Sequence, residues 1–246
     1  MSHAPLPLAG IFHEFGVAVA EVRSAVEFYE RLGFSQATTT DTFSHPYGVL
    51  TDGRFCIGLH QRAGVSPILT FVRPGIAGSV AALAAAGIQL TRCQTGEEVF
   101  NEIGFSDPFG HELAILEART YSPVARDAVE VSLCGDFAEV SLPAADFSVA
   151  QTFWEPLGFV AAEQAQSPYP HLTLTSDHLD LAFHSPQLCA SPMLVFHAAD
   201  MSARLERLRT LGFAIASAPA RVDAGAGNAL LIGPGNTPLL LLEAAD

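Results

Sequence analysis

Residues 14–34 read EFGVAVAEVRSAVEFYERLGF, and residues 139–159 repeat that pattern as EVSLPAADFSVAQTFWEPLGF. Each stretch begins with a glutamate on an apolar, strand-like segment, continues through a helix-like segment and closes on Leu-Gly-Phe. The apolar residues in the middle of each stretch recur at helical spacing, and the glycine stands where a helix commonly ends. The chain therefore contains at least two copies of one supersecondary unit.

The repeat extends over most of the chain. A shift of about 125 positions also brings Ser66-Pro67 onto Ser191-Pro192, and a shift of about 54 brings Leu157-Gly158-Phe159 onto Leu211-Gly212-Phe213. A period of this length is typical of a duplicated supersecondary unit. We therefore interpret the chain as four copies of a unit of about 55–60 residues, arranged as two pairs.

Turn residues and hydrophobic periodicity give each copy the order strand, helix, strand, strand, strand. In the third copy, Asp146 is expected to cap the helix at its N-terminus. The sequence thus predicts an α+β fold of four tandem βαβββ units. The two halves are expected at residues 1–120 and 135–246, with a linker at 121–134.

Composition limits the classes of partner. The chain has 246 residues, 49% of them apolar, and a formal net charge of −14; all 12 of its basic residues are arginines. A strongly acidic chain is a poor match for nucleic acid, and no apolar run reaches the roughly 18 residues of a membrane span. Four scattered cysteines and the lack of a signal-peptide pattern predict a cytoplasmic protein with reduced thiols.

The first-copy motif, together with DPFGHELAILE at residues 107–117, resembles the vicinal oxygen chelate superfamily. That superfamily includes glyoxalase I, bleomycin-resistance proteins, fosfomycin-resistance enzymes and type I extradiol dioxygenases. The resemblance implies that paired units curl their sheets into two half-barrel halves, each surrounding a cleft. It also implies a small-molecule substrate or ligand, with the chain acting as a monomer or homodimer.

The resemblance further implies candidate site residues, because metal-dependent members take His, Glu or Gln ligands from the first and last strand of each unit. The first-strand positions carry Glu14 and Glu139. The last-strand positions fall at Gly58 and Ala182, with His60 and His184 two residues farther on the same face. These four polar residues are the predicted metal ligands, and the two glutamates are the predicted catalytic residues.

The other ligand positions carry side chains that cannot hold a divalent metal, apart from a weak thioether. They are Ile68, Met193, Ala114 and Leu240. Glu112 and His197 lie two and four residues away on the same faces, and we include them with His60 and His184 as predicted ligand-binding residues. A divalent metal is thus compatible with the sequence, although the usual ligand set is incomplete in both halves.

Two functions follow from this pattern. The first is a glyoxalase- or dioxygenase-like enzyme, of lyase, isomerase or dioxygenase type, that uses cleft Glu and His residues, with or without a divalent metal. The alternative is a metal-free protein similar to bleomycin-resistance proteins, which binds and sequesters a small, cationic ligand. A buried carboxylate needs a polar partner in either case, and His60 and His184 are the expected partners of Glu14 and Glu139.

Overall fold

The computed structural model describes residues 7–38, 43–118, 132–225 and 227–244. Its strands form two eight-stranded mixed sheets, one from each half of the sequence. The strands of the first sheet are β1 (Ile11–Ala18), β2 (Ser35–Gln36), β3 (Tyr47–Thr51), β4 (Cys56–His60), β5 (Ile68–Arg73), β6 (Leu90–Gln94), β7 (Glu102–Ser106) and β8 (Glu112–Glu117). Its helices are α1 (Val22–Arg31) and α2 (Val80–Ala85), the latter preceded by a 3-10 turn at Ile76–Ser79.

The second half repeats these elements. Its strands are β9 (Asp136–Pro143), β10 (Val160–Ala165), β11 (His171–Thr175), β12 (Asp180–His184), β13 (Met193–Ala198), β14 (Ile215–Ser217), β15 (Ala229–Gly233) and β16 (Thr237–Glu243). Its helices are α3 (Phe147–Trp154) and α4 (Met201–Thr210). The predicted linker at 121–134 lies, except for its last three residues, outside the described ranges.

Both sheets have the same topology. The first runs β2-β3-β4-β1-β5-β8-β7-β6, and the second runs β10-β11-β12-β9-β13-β16-β15-β14. In each, the first strand of one unit pairs antiparallel with the first strand of the next, and each first strand pairs parallel with the last strand of its own unit. The predicted α+β fold of paired βαβββ units is confirmed.

Local sequence signals explain the helix ends. The Asp146 carboxylate accepts hydrogen bonds from the backbone N–H groups of Ser148 and Val149, as the predicted N-cap should. Gly33 follows the end of α1 with φ of +92°, a backbone conformation that favours glycine. In the third copy the α-helix ends at Trp154, and a 3-10 turn at Glu155–Leu157 follows it.

The two halves share one apolar core. Tyr29 of α1 and Trp154 of α3 are fully buried in it. Phe55 stacks on Phe137 across the halves, with ring centroids 3.8 Å apart. The helices therefore lie between the sheets, which leaves the other face of each sheet to form a cleft. Within the described ranges, no helix has the length and apolar character needed to cross a bilayer.

Candidate functional site

The first cleft brings Glu14 and His60 together. β1 and β4 run parallel with Gly16 beside Gly58 and Ala18 beside His60. This register places the glutamate of one strand and the histidine of the other on the same face. Glu14 Oε1 lies 2.9 Å from His60 Nε2, and the side chains are only 2% and 6% exposed. The predicted pairing of these two residues is confirmed.

Two glycines make room for this pair. A Cβ atom at Gly58 would lie 2.2 Å from Glu14 Oε2, and one at Gly16 would lie 3.3 Å from His60 Nε2. The Glu14 carboxylate therefore occupies the space that any side chain at position 58 would need. The resemblance implied a metal ligand at position 58, but the residue there is glycine. Because Gly58 has no Cβ, it leaves room for the carboxylate of Glu14 on the neighbouring strand.

Two further residues complete a hydrogen-bonded chain that sequence reasoning missed. The Tyr47 hydroxyl donates to Glu14 Oε2, and His60 Nδ1 lies 3.0 Å from His45 Nε2. Desolvation, the adjacent His60 and the positive charge of Arg62 lower the pKa of His45. The spacing of two between His45 and Tyr47 was a signal that both side chains share a face.

A cavity of about 290 Å³ opens over the Glu14–His60 pair. Ile68, Ala114 and Leu116 give it an apolar wall. Arg92 and Glu102 also line it and form an ion pair with 2.6 Å between Nη1 and Oε1. The arrangement is thus an acid–base pair at the end of a small, mostly apolar pocket, which is the usual form of a small-molecule site.

The second cleft holds its glutamate differently. Glu139 Oε1 lies 3.3 Å from the Tyr169 hydroxyl, and Oε2 lies 3.3 Å from the Thr173 hydroxyl, both of which donate to the carboxylate. Burial raises the pKa of Glu139, although nearby His171 and these hydrogen bonds oppose the shift. The carboxylate is buried and partnered, but not by the histidine that the sequence suggested.

The predicted pairing of Glu139 with His184 is wrong. His184 Nδ1 accepts from the Ser141 hydroxyl at 2.8 Å, and His184 Nε2 donates to the Cys189 carbonyl at 3.0 Å. Ser141 stands in the register position of Gly16, and Ala182 stands in that of Gly58. The Ser141 hydroxyl therefore hydrogen-bonds to His184, and the Ala182 methyl group occupies the space that the Glu14 carboxylate occupies in the first half.

Apolar side chains also fill the second cleft. Met193, Leu240 and Leu242 from the strands pack with Tyr169 and Val222 in a buried cluster. The segments that carry Tyr169 and Val222 are hydrogen-bonded to each other. The Asp223 N–H donates to the Pro168 carbonyl, and Ser167 Oγ donates to Asp223 Oδ2, both at 2.7 Å. In the first half, by contrast, an open cavity lies beside the glutamate.

The remaining predicted residues lie outside the first cavity. The Glu112 carboxylate accepts a hydrogen bond from Ser106 Oγ at 2.7 Å near the end of β8. His197 belongs to the second half, opposite Asp136 in the β9–β13 register. Burial, and then the nearby His171, lower its pKa. Both remain predictions as ligand-binding residues, and neither contacts the Glu14–His60 pair.

Comparison with known proteins adds the fold family. No protein-family model and no curated protein matches this sequence significantly. Among solved structures, the 2,3-dioxygenase LapB from Pseudomonas sp. KL28 is similar, with a TM-score of 0.65 at 16% identity over 99% of this chain and 94% of that chain. The chain has the vicinal oxygen chelate fold.

Two other structures with this fold show its range. A Mn(II)-bound glyoxalase from Novosphingobium aromaticivorans has a TM-score of 0.58 at 15% identity, over 95% of this chain and 81% of that chain. An extradiol ring-cleaving dioxygenase from B. fuscum has a TM-score of 0.62 at 13% identity, over 100% and 74%. The sequence-based resemblance is confirmed at the level of the fold.

The fold family implies a metal, and the donors present here do not fit one. Each Glu14 oxygen has a protein hydrogen-bond partner, and both His60 nitrogens face polar atoms of Glu14 and His45. The facing positions in the register are Thr70 and Ala114. Across the described ranges, no three His, Cys, Asp or Glu side chains come close enough to hold a metal ion. The four predicted metal ligands are divided between two clefts, two in each.

The Gly58 position gives a first test of this geometry. Gly58→Ala is expected to lower the free energy of unfolding by about 1–3 kcal/mol, because its methyl group overlaps the Glu14 carboxylate and forces it out of the pair. Urea unfolding measures the change. Gly78→Ala is the matched control, since a Cβ there meets nothing within 4 Å. Equal stability of the two variants would contradict the close approach of Glu14 to Gly58.

Proposed function

We propose that this protein is a glyoxalase-like small-molecule enzyme whose first cleft transfers a proton with Glu14 as general base. The observation that carries the proposal is a carboxylate, 2% exposed, that borders an open cavity and is held by two donors. A positioned base of this kind typically contributes about 10²–10⁴-fold to a reaction rate. The second glutamate is hydrogen-bonded to Tyr169, a member of a buried apolar cluster, so the proposal concerns the first cleft.

The partners of Glu14 define its role. Tyr47 and His60 fix the orientation of the carboxylate, so that its basic oxygens present a constant geometry to a bound molecule. When Glu14 takes a proton from the substrate, the carboxyl group becomes neutral and the electron pair of the broken C–H bond leaves the negative charge on the substrate. Glu14 then gives the proton back to the substrate and regains its charge, while Tyr47 and His60 keep it oriented. Such a transfer needs no oxidant or reductant, and it suits a carbon next to a carbonyl group, where the C–H bond is acidic.

The polar side chains of the first cleft favour glyoxalase-like proton transfer over oxidative cleavage of a ring. Oxidative cleavage of a catechol ring needs dioxygen and a metal that can activate it. The donors of the first cleft are engaged with one another and do not converge on such an ion. An isomerase or lyase that moves a proton uses the residues as they stand.

Isotope exchange in D₂O tests the proposal without knowledge of the product. The protein, treated with a chelator, is incubated with a panel of small 2-oxo acids, hydroxyketones and hemithioacetals, and the α-proton signals are followed by NMR. We expect exchange of at least one compound well above the uncatalysed rate, and no loss of rate after chelation. Tight binding of panel members without exchange would overturn the proposal in favour of sequestration.

A further inference from the structure

One of the two arginines that line the first cavity has no ion-pair partner. Tyr47 and His60 donate hydrogen bonds to the Glu14 carboxylate, and Glu102 is paired with Arg92. Arg62 also lines the cavity, and within the described part of the chain its guanidinium forms no ion pair or hydrogen bond with another residue. Among the described residues that line the cavity, Arg62 is therefore the arginine without an ion-pair partner, in a protein whose net charge is −14.

Arg62 is placed to meet a bound molecule. It follows β4 by two residues, so the strand that positions His60 also positions the arginine at the cavity. Its Nη1 atom lies close to Gly64, where a Cβ would be 3.4 Å away, and the side chain is half-buried. The charge acts within the site, because it helps to lower the pKa of His45.

Apart from the polar side chains of His45 and Thr70, the rest of the lining is apolar or aromatic. Phe43 is 38% exposed and packs edge-on to His60, with ring centroids 4.9 Å apart. Ile68 and Leu116 lie on the sheet side of the same cavity. With a volume of about 290 Å³, the cavity is at the small end of the range for ligand pockets, about 300–1,000 Å³. It suits a body the size of one ring.

We propose that the substrate of this cleft is a small carboxylate with an apolar or aromatic body, and that Arg62 binds its carboxylate while Glu14 faces the reacting carbon. Arginine is suited to this task because its planar guanidinium can donate two parallel hydrogen bonds to a carboxylate. The proposal names the substrate class of the proton-transfer site described above and rests on that function for the role of Glu14, but not for the role of Arg62.

Calorimetry with matched pairs of probes tests this class. Phenylpyruvate, 3-phenyllactate and benzoate are each compared with their methyl esters, which keep the body and remove the charge. We expect at least one acid to bind the parent protein about tenfold or more tightly than its ester, a preference typical of a charge-assisted hydrogen bond. Arg62→Gln should abolish the preference. Arg23→Gln, which removes the same charge from the exposed face of α1, should retain it.

The outcomes separate this proposal from the proposed function. An acid preference that survives in Glu14→Gln, without isotope exchange in the parent, would support Arg62 as the carboxylate site while the catalytic role fails. Exchange that proceeds equally on acids and esters, and is unchanged in Arg62→Gln, would overturn the carboxylate class and leave the catalytic role intact. Absence of any acid preference across the three pairs would likewise overturn it.

Discussion

Glu14→Gln is expected to slow isotope exchange by about 10²–10⁴-fold, the usual contribution of a general base. Glutamine keeps the shape of the side chain but cannot take up a proton. Its amide oxygen can still accept from His60 Nε2, and the Tyr47 hydroxyl can rotate to accept from its amide nitrogen. The variant should therefore fold and bind as before, so the loss should appear in turnover and not in ligand affinity.

Glu139→Gln is the matched change in the second half. Its carboxylate is hydrogen-bonded to Tyr169 and Thr173 beside a cleft filled by apolar side chains, so we expect exchange at nearly the rate of the parent. NMR exchange rates and calorimetry on both variants give the comparison. Equal losses in the two would restore the sequence-based prediction that both glutamates are catalytic. No loss in either would remove the carboxylates from the mechanism.

Acidification is expected to destabilise the protein through His184. Burial lowers the pKa of His184 from 6.5 to about 4 in the folded state. As the pH falls below 6.5, the unfolded chain binds the proton first, so the free energy of unfolding decreases until the folded-state pKa near 4 is reached, and then levels off. At pH 4, the pKa difference of His184 lowers the free energy of unfolding by about 3 kcal/mol.

The measurement is the free energy of unfolding in urea at several pH values between 7 and 4. His184→Gln should flatten the dependence while retaining a donor toward the Cys189 carbonyl. His178→Gln, in the turn between β11 and β12, is the control and should leave the slope unchanged. Other groups near His184 are His111 and His171, whose charges oppose its protonation. A parental slope in His184→Gln would assign the acid sensitivity to another group.

Glu139 acts with the opposite sign. Its pKa is raised by burial, so the stability that the neutral acid provides is present below the ordinary glutamate pKa of about 4.5. That stability is lost as the pH rises through the folded-state value. Above pH 4.5 the two contributions therefore oppose each other, because a rise in pH increases stability through His184 and decreases it through Glu139. Titration of Glu139→Gln, which lacks the second contribution, separates the two.

The sequence by itself determined the order of strands and helices in each unit, because hydrophobic periodicity differs between strands and helices. A repeat such as Leu32-Gly33-Phe34 and Leu157-Gly158-Phe159 places a glycine of positive φ after the helical segment in both halves. A lone glutamate on an apolar strand likewise identified Glu14 and Glu139 as buried groups that need partners. These inferences depend only on the spacing of residues that are close together in the sequence. They do not require knowledge of contacts between distant residues.

Only the tertiary structure decided which partner each glutamate has and which cleft is open. Those outcomes depend on residues far apart in the chain that meet across strands: Gly16 and Gly58 in one half, Ser141 and Ala182 in the other. A missing Cβ admits the Glu14 carboxylate beside His60, whereas a methyl group and a hydroxyl separate Glu139 from His184. Differences of one or two atoms change no hydrophobic pattern, but in a close-packed interior they determine which polar groups can touch.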